Sequence, residues 1–479
     1  MQEEDQILLR VRAYADTHAL LPEGGTVLAA VSGGPDSVVL LDLLKRLSKP
    51  LNLSVQVAHL DHQLRPQSSG DREFVETLAR DRRLTFHGAK AAVSERAQQN
   101  RESLEEAGRA ERRDFLSRVA REIGADRIAL GHHLDDQAET VLMRLTRGAG
   151  LSGLAGIRPI SQGCWIHPLL CLSRTEILAY ADRHGLTYVT DASNDDIRHL
   201  RNRIRHHIIP GLKRDVNDAA SRVIARTADL LRCDDECLDQ TAIDTLKTVT
   251  CVQTARKIAL DGNACFRYHV AIQRRVFRLA ASQLGMDLRK LNAARLIDAL
   301  EQFNSGPARI DLTTDLTACF DGRLIVLGRQ VDPFDRALSS SGTTEAPEIG
   351  ATLVASSTHS RPTDLRRTDP FTAWFDPARL SSLRLRSVKP GDRIAPFGFS
   401  GTVKISKLLI DRKVPKIVRD EVPVVVSGDD PIWVVGLRTS ARAPVDPEAG
   451  NAVRLEFSGD WRKLATALKL PSPKALSNV

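Results

Sequence analysis

The chain has 479 residues, 42% of them hydrophobic and 27% charged, the composition of an ordinary soluble protein of two or three domains. No apolar run approaches the ~20 residues needed to span a bilayer, and the acidic opening MQEEDQILLR lacks the basic flank and apolar stretch of a signal peptide. Seven scattered cysteines without a CxxC pair argue for reduced thiols in a cytoplasm, and a net charge of +8 leaves room for a polyanionic partner without requiring one.

In chain order, the first informative stretch is VLAAVSGGPDSVVLLDLLKRL at 27–47. Its opening run is uniformly apolar, as in a strand covered on both faces of a parallel sheet. A helix follows with Leu40, Leu43, Leu44 and Leu47 on its inward stripe. Between them stand Ser32, Gly33, Gly34, Pro35, Asp36 and Ser37. The glycines permit positive φ and close backbone approach, the serines add hydroxyls, and the N–H groups of a helix start favour an anion. A Walker A loop would carry GxxxxGKS or GxxxxGKT, its lysine reaching the β- and γ-phosphates. Here an aspartate stands in the loop instead, which suits pyrophosphate held with Mg²⁺ bridged through Asp36.

Strand and helix patterns then alternate. Residues 53–61, 83–90 and 126–133 read as strands, and about 70–82 and 102–123 as helices. The fold class is therefore α/β, a parallel sheet with helices on both faces and ligands beyond the carboxyl ends of its strands. That topology brings three segments to one edge: SGGPDS, His59-Leu60-Asp61-His62, and Gly131-His132-His133-Leu134-Asp135-Asp136. From Asp135 onward, Ala138, Val141, Leu142 and Leu145 trace a core stripe, while Asp136, Glu139 and Thr140 share another face. Acids in a first turn are also ordinary partners of the helix dipole. Beside a phosphate loop, Asp135, Asp136 and Glu139 read as ligands of Mg²⁺ or substrate. The histidines of HLDH and HHLDD also have the residue types of a two-metal hydrolase, although such a site calls for no Gly-Gly phosphate loop.

Residues 191–210, DASNDDIRHLRNRIRHHIIP, place Leu200, Ile204 and Ile208 on an apolar seam with Arg201 and Arg205 on an adjacent face. With Arg203 they suit contact with phosphate or RNA, and a solvated charged helix has the same spacing. Farther on, about 216–240 and 267–303 are helical, and 305–330 reads as short strands. Residues 335–368 open with the Ser/Thr/Gly-rich DRALSSSGTTEAPEIG and read as a linker. A last compact unit contains the β-like runs LRLRSV, VPVVVSG and IWVVGL, and the final residues look frayed.

SGGPDS, AHLDHQLRP (58–66), GHHLDDQAETVLMRLTRGAGLSGLAGI (131–157), the 191–210 segment and KPGDRIAPFGFSGTVKISKLLIDRKVPKIVRDEVPVVV (389–426) together resemble the tRNA(Ile)-lysidine synthases, which are N-type ATP pyrophosphatases. The loop alone indicates only that superfamily; RNRIR and the C-terminal stretch narrow it. Two positions depart from the family's pattern: His167 stands where Arg is expected before PLL, and Arg113 where an aromatic usually follows the basic pair.

The resemblance implies a catalytic domain at 1–215, a mainly helical tRNA-binding middle domain at 216–334, the linker at 335–368, a small α+β tRNA-binding domain at 369–465 and a tail at 466–479. It implies adenylation by ATP of the wobble cytidine C2 oxygen in an isoleucine tRNA with anticodon CAU. Free lysine then attacks C2, giving lysidine, AMP and pyrophosphate. Ser32, Gly33, Gly34, Pro35, Asp36 and Ser37, with Arg201, Arg203 and Arg205, would bind ATP. Asp36 and Asp136 would hold Mg²⁺, and Asp36, His132, Asp135, Asp136 and Glu139 would carry the chemistry. No membrane partner is implied, and a homodimer is left open. The alternatives are a tRNA thiolase of the same superfamily, which needs a cysteine at the sheet edge although none precedes Cys164, and the metal-dependent hydrolase.

Overall fold

The computed structural model describes residues 3–63, 68–189, 200–288, 291–359, 369–397, 401–445 and 451–469. The chain divides into two compact units, Met1–Glu236 and Cys237–Val479. The first runs through α1 (Glu3–Thr17), β1 (Thr26–Ala30), α2 (Pro35–Ser48), β2 (Ser54–Asp61), α3 (Ser68–Asp81) and β3 (Phe86–Lys90). It continues with α4 (Val93–Asn100), α5 (Leu104–Glu122), β4 (Arg127–Ala129), α6 (Leu134–Leu145), α7 (Leu151–Leu154), β5 (Ile160–Ser161) and β6 (Trp165–Ile166). Helices α8 (Arg174–Arg183), α9 (Leu200–Arg203), α10 (Ile209–Asp215) and the long α11 (Ala220–Val249) follow.

The strands form one sheet in the order β3-β2-β1-β4-β6-β5, parallel except for the β5–β6 hairpin. Both faces are covered, and β1 shows why its sequence is apolar throughout. Val27 and Ala29 join a core with Leu40, Leu44 and Val57, whereas Leu28 points the other way among Ala58, Phe115 and Ile128. A strand buried on both sides has no polar position to spare. Strand β2 lies on one side of β1 and β4 on the other, so the winding direction reverses there and opens a crevice at the carboxyl ends.

The unit extends beyond the expected boundary at 215. Asp235, fully buried in α11, accepts from Ser152 Oγ at 2.6 Å and pairs with Arg158 at 2.8 Å, tying the first part of that helix to the sheet domain. No helix among the described residues is long and apolar enough to cross a membrane.

The second unit adds β7 (Thr250–Gln253), β8 (Lys257–Asp261), α12 (Gly262–Cys265), α13 (Val270–Gln283), α14 (Ala293–Ser305), β9 (Ala308–Asp311), β10 (Thr317–Phe320) and β11 (Leu324–Gly328). The region expected to be mainly helical therefore holds a five-stranded antiparallel sheet, β7-β8-β11-β10-β9, against which α13 and α14 pack. Its strands are four or five residues long, too short for a period-2 signal to outweigh the flanking helices.

The expected linker is also largely strand: β12 (Asp335–Leu338), β13 (Gly342–Ala346) and β14 (Ala351–Thr358) enter two further sheets. Ser and Thr made this stretch look like loop. In β14, Thr352, Val354 and Ser356 alternate with buried Ala351, Leu353 and Ala355, which is how a half-buried strand is written. Residues 360–368 of that segment lie outside the described residues.

Strands β15 (Thr372–Phe375), β16 (Leu383–Ser387), β17 (Arg393–Ile394) and β18 (Val403–Lys404), then α15 (Ile405–Asp411), follow. β19 (Pro423–Ser427), β20 (Asp430–Val434), β21 (Arg438–Thr439), β22 (Ala452–Gly459) and α16 (Asp460–Ala467) complete the unit. Within it, Lys257 Nζ is fully buried and meets Glu421 at 2.6 Å.

Candidate active site

The site begins where β1 ends. Gly33 has φ +94°, a left-handed value that suits glycine, and Gly34 is the extended N-cap of α2, with Pro35 in its first turn. Ser37 closes the loop from the helix side. Its Oγ accepts from the Ser32 and Gly33 N–H groups at 3.2 Å and donates to the Gly34 carbonyl at 2.9 Å. His59 supports the loop from β2, its Nδ1 donating to the Val31 carbonyl at 2.8 Å. The loop is thus preshaped, with the first N–H groups of α2 left for a ligand, as at any helix start.

The segment after β4 comes very close. A Cβ on Gly131 would lie 3.2 Å from the Asp36 carbonyl carbon, so glycine at 131 lets the two loops touch. The consequence is that His133, on the second loop, sits among three carboxylates. Its buried ring places Nε2 3.5 Å from Asp136 and 3.8 Å from Asp36, and Nδ1 3.9 Å from Asp135.

The three expected acids of this segment divide. Asp136 and Glu139 turn inward and are 7% and 1% exposed. Asp135 is less buried: it accepts from the Arg174 N–H at the start of α8 at 2.9 Å and lies 3.4 Å from Lys213 Nζ. Asp135, still 3.9 Å from His133, thereby also ties the cluster to α8 and α10.

Arg201 and Arg205 meet the inward pair. Arg201 Nε donates to Glu139 at 2.7 Å and its Nη2 to Asp136 at 2.8 Å; Arg205 reaches the same two acids at 2.6 and 3.0 Å. Two guanidinium forks therefore bridge two carboxylates, and Arg205 lies within a five-residue π-helical stretch at Ile204–Ile208. Arg203, grouped with them by sequence, lies on the exposed side of its helix. Residues 191–199 of that motif lie outside the described residues.

Ionisation follows from this packing. Burial pushes the Asp136 carboxyl up, but His133, Arg201 and His132 outweigh it and hold the group down at about 2. Asp36 moves the other way: burial dominates, Asp136 adds to it, and the pKa is raised. Its buried Oδ1 has no hydrogen-bond partner among the described residues. Two adjacent carboxylates, one with an orphaned oxygen, form a hard-oxygen donor set of the kind Mg²⁺ takes. His132 is lowered to about 3 by burial first, so its ring is neutral near pH 7.

The remaining histidines and cysteines have other positions. His62 meets Arg112 at 3.2 Å, and His59 holds the loop backbone, so HLDH and HHLDD do not converge on one metal cage. Cys171, at the end of the 3-10 turn Pro168–Cys171 after β6, has its thiol pushed up to about 11 by burial, which makes it a poor nucleophile. Arg113 and His167, the two departures from the family pattern, line one and the same cavity. Sequence reasoning put His132 in the chemistry and weighed His133 only as a ligand of a two-metal hydrolase. The doubled histidine was the available signal, but only the touching loops show which of the two lies among the acids.

Residues 10–212 match the model of the PP-loop domain, and residues 382–456 match that of the TilS substrate C-terminal domain. The tRNA(Ile)-lysidine synthase of Geobacter sulfurreducens is 36% identical, the alignment covering 94% of this chain and 97% of that protein. That of Symbiobacterium thermophilum is also 36% identical, over 94% and 97% of the two chains, and that of Geobacillus kaustophilus 33%, over 90% and 95%. Such likeness runs through both units and nearly end to end, so the chain belongs to the tRNA(Ile)-lysidine synthase family.

Proposed function

We propose that this chain is the ATP-dependent ligase that converts the wobble cytidine of an isoleucine tRNA with anticodon CAU to lysidine. One observation carries the reading. A phosphate loop without a lysine and a buried Asp136–Glu139 pair share one crevice, in a chain related nearly end to end to proteins named for this reaction. The second unit, with its TilS substrate C-terminal domain, would hold the tRNA body.

The chemistry requires activation, because a cytosine C2 oxygen leaves poorly and AMP leaves well. Cleavage between the α- and β-phosphates places the leaving pyrophosphate on Ser32, Gly33, Gly34 and Ser37 at the start of α2. Asp36 and Asp136 would hold Mg²⁺, which supplies positive charge to the phosphate oxygens where a Walker loop would use lysine. Arg201 and Arg205 add fixed positive charge beside the acids.

Asp136 and Glu139 then serve the amine. Free lysine has a side-chain pKa of ~10.4, so on the order of one molecule in a thousand is neutral near pH 7. The two carboxylates bind its ammonium group, and Glu139 accepts the proton as nitrogen attacks C2. Incubation with ATP, radiolabelled lysine and a CAU-anticodon transcript tests the whole reading. Label in the tRNA with equimolar AMP is expected. Turnover that depends on sulfide or cysteine in place of lysine would make the chain a thiolase. For the base role, Glu139→Gln should slow single-turnover attack on preformed adenylate; an unchanged rate there, with altered lysine affinity, would assign Glu139 to binding alone.

A further inference from the structure

Residues 152–158, which cross from α7 toward β5, are held from two sides. From α6, Gln137 Oε1 accepts from the Ile157 N–H at 2.5 Å, and Arg144 donates to the Gly153 and Gly156 carbonyls at 2.9 Å. Those bonds fix the middle of the stretch. Its two ends are fixed by one carboxylate on α11: Asp235 Oδ1 accepts from Ser152 Oγ at 2.6 Å, and Oδ2 accepts from Arg158 Nη2 at 2.8 Å. Asp235 has no solvent contact, and Ala228, two turns earlier on the same face, is equally buried. Packing alone does not call for a carboxylate there, since burying one costs more than burying an apolar side chain.

The clamp leads into the site. The Arg158 carbonyl accepts from His167 Nδ1 at 2.8 Å, and the Pro159 carbonyl accepts from the His167 N–H at 2.9 Å. The His167 ring in turn lies against that of His132, with centroids 5.0 Å apart and planes inclined at 51°. His132 Nδ1 is buried and has no hydrogen-bond partner among the described residues, so packing, not a bond to that nitrogen, orients the ring. Beyond it stand Asp136 and Arg201 of the acid cluster, and His132 is one of the groups that hold Asp136 ionised.

We propose that Asp235 is a positioning residue for the reaction: by clamping Ser152 and Arg158 it sets the backbone at 158, and with it the His167 ring that holds His132 beside Asp136. The place of His132 therefore follows that of α11. Arg158 also reaches Glu236, the next residue of α11, at 3.3 Å, but that acid is half exposed and holds only one arm of the clamp. Asp235 alone joins both ends of the stretch. The inference rests on the reading of the chain as a tRNA-modifying ligase.

The test uses the full-length protein. Asp235→Asn offers one acceptor and one N–H₂ donor, so it keeps Ser152 and turns a donor on Arg158. At saturating substrates its single-turnover lysine transfer should fall about tenfold, as a small misplacement away from the chemistry costs, with the ATP and lysine KM within twofold. Arg158→Ala should match it, and Arg158→Lys should recover most of that loss. The double variant Asp235→Asn/Arg158→Ala should be no slower than the slower single one, because both act along one route. Asp239→Asn, on the same helix but paired with Arg275 of α13, is the control and should leave the rate unchanged. A lowered urea midpoint with an unchanged rate for the folded protein would reduce Asp235 to a fold contact and overturn the assignment, as would additive losses in the double variant. If the wild type transfers no lysine at all, the proposed reaction is at fault, and the clamp is judged by NMR of ¹³C-labelled histidine. Asp235→Asn should then move the His132 and His167 ring resonances and leave that of His87, on β3, in place. Unmoved His132 and His167 resonances refute the assignment.

Discussion

Two clusters of buried carboxylate and cation invite comparison, one in each unit. In the second unit Glu421, 2% exposed, meets Lys257, fully buried, and Gly328 leaves room for the lysine stem: a Cβ there would come within 2.6 Å of it. In the first unit Asp136 and Glu139 are as dry, but their partners Arg201 and Arg205 keep 24% and 21% of their side chains exposed. A pair sealed on both sides can only hold the fold. A pair whose cations still reach solvent can exchange partners when a phosphate or an ammonium group arrives. The difference therefore lies in which partner touches water, not in the charges themselves.

The largest expected effect is on the open cluster. Asp136→Asn should lower lysidine formation by about 10²–10⁴-fold, the range for loss of a charge-stabilising or proton-transfer group, with circular dichroism unchanged. Activity within tenfold of wild type would reduce the cluster to a structural one. Next, Lys257→Met leaves Glu421 buried and unpaired and should destabilise by about 3–5 kcal/mol, read as a lowered urea midpoint. The double variant Lys257→Met/Glu421→Leu should recover most of that stability. A double variant as unstable as the single one would mean that the pair carries more than its own burial.

Acid should separate the clusters by sign. Asp136 titrates lower in the folded than in the unfolded chain, so its contribution is present above about pH 4 and is lost as pH falls toward 2. With a folded value of about 2, that contribution is on the order of 2 kcal/mol. Glu421 is raised, chiefly by burial, so its ionisation costs stability as pH rises from the unfolded pKa through the folded one, and acid relieves that cost. On going from pH 5 to 2.5, the stability advantage of wild type over Asp136→Asn should shrink, while wild type should gain relative to Glu421→Gln. Parallel slopes in chemical denaturation would contradict the contrast. The smallest effect is expected from Arg205→Lys, which keeps the charge but loses the fork; about a tenfold fall in kcat/KM for lysine, or ~1.4 kcal/mol, would fit.

Local sequence was enough for the loop. An all-apolar strand, two glycines, a proline at the first turn of a leucine-rich helix and an aspartate in place of a lysine dictate a phosphate cradle, because each residue acts on its own backbone or its immediate neighbours. The same holds for the doubly covered sheet, whose strands are apolar on both faces. Spacing also placed Asp136 and Glu139 on one helical face. It could not say which way that face looks, nor that Asp135, one residue earlier, also ties the cluster to α8. Arg201 and Arg205 were read as phosphate ligands, yet they hold acids 62 to 69 positions away along the chain, a distance over which sequence pattern carries no geometry. His133 among the carboxylates, Asp235 between Ser152 and Arg158, and the strands within the Ser/Thr-rich 335–358 stretch were likewise decided by packing. Periodicity fixes the relative phase of residues on one element; only the contact between elements fixes what each phase meets.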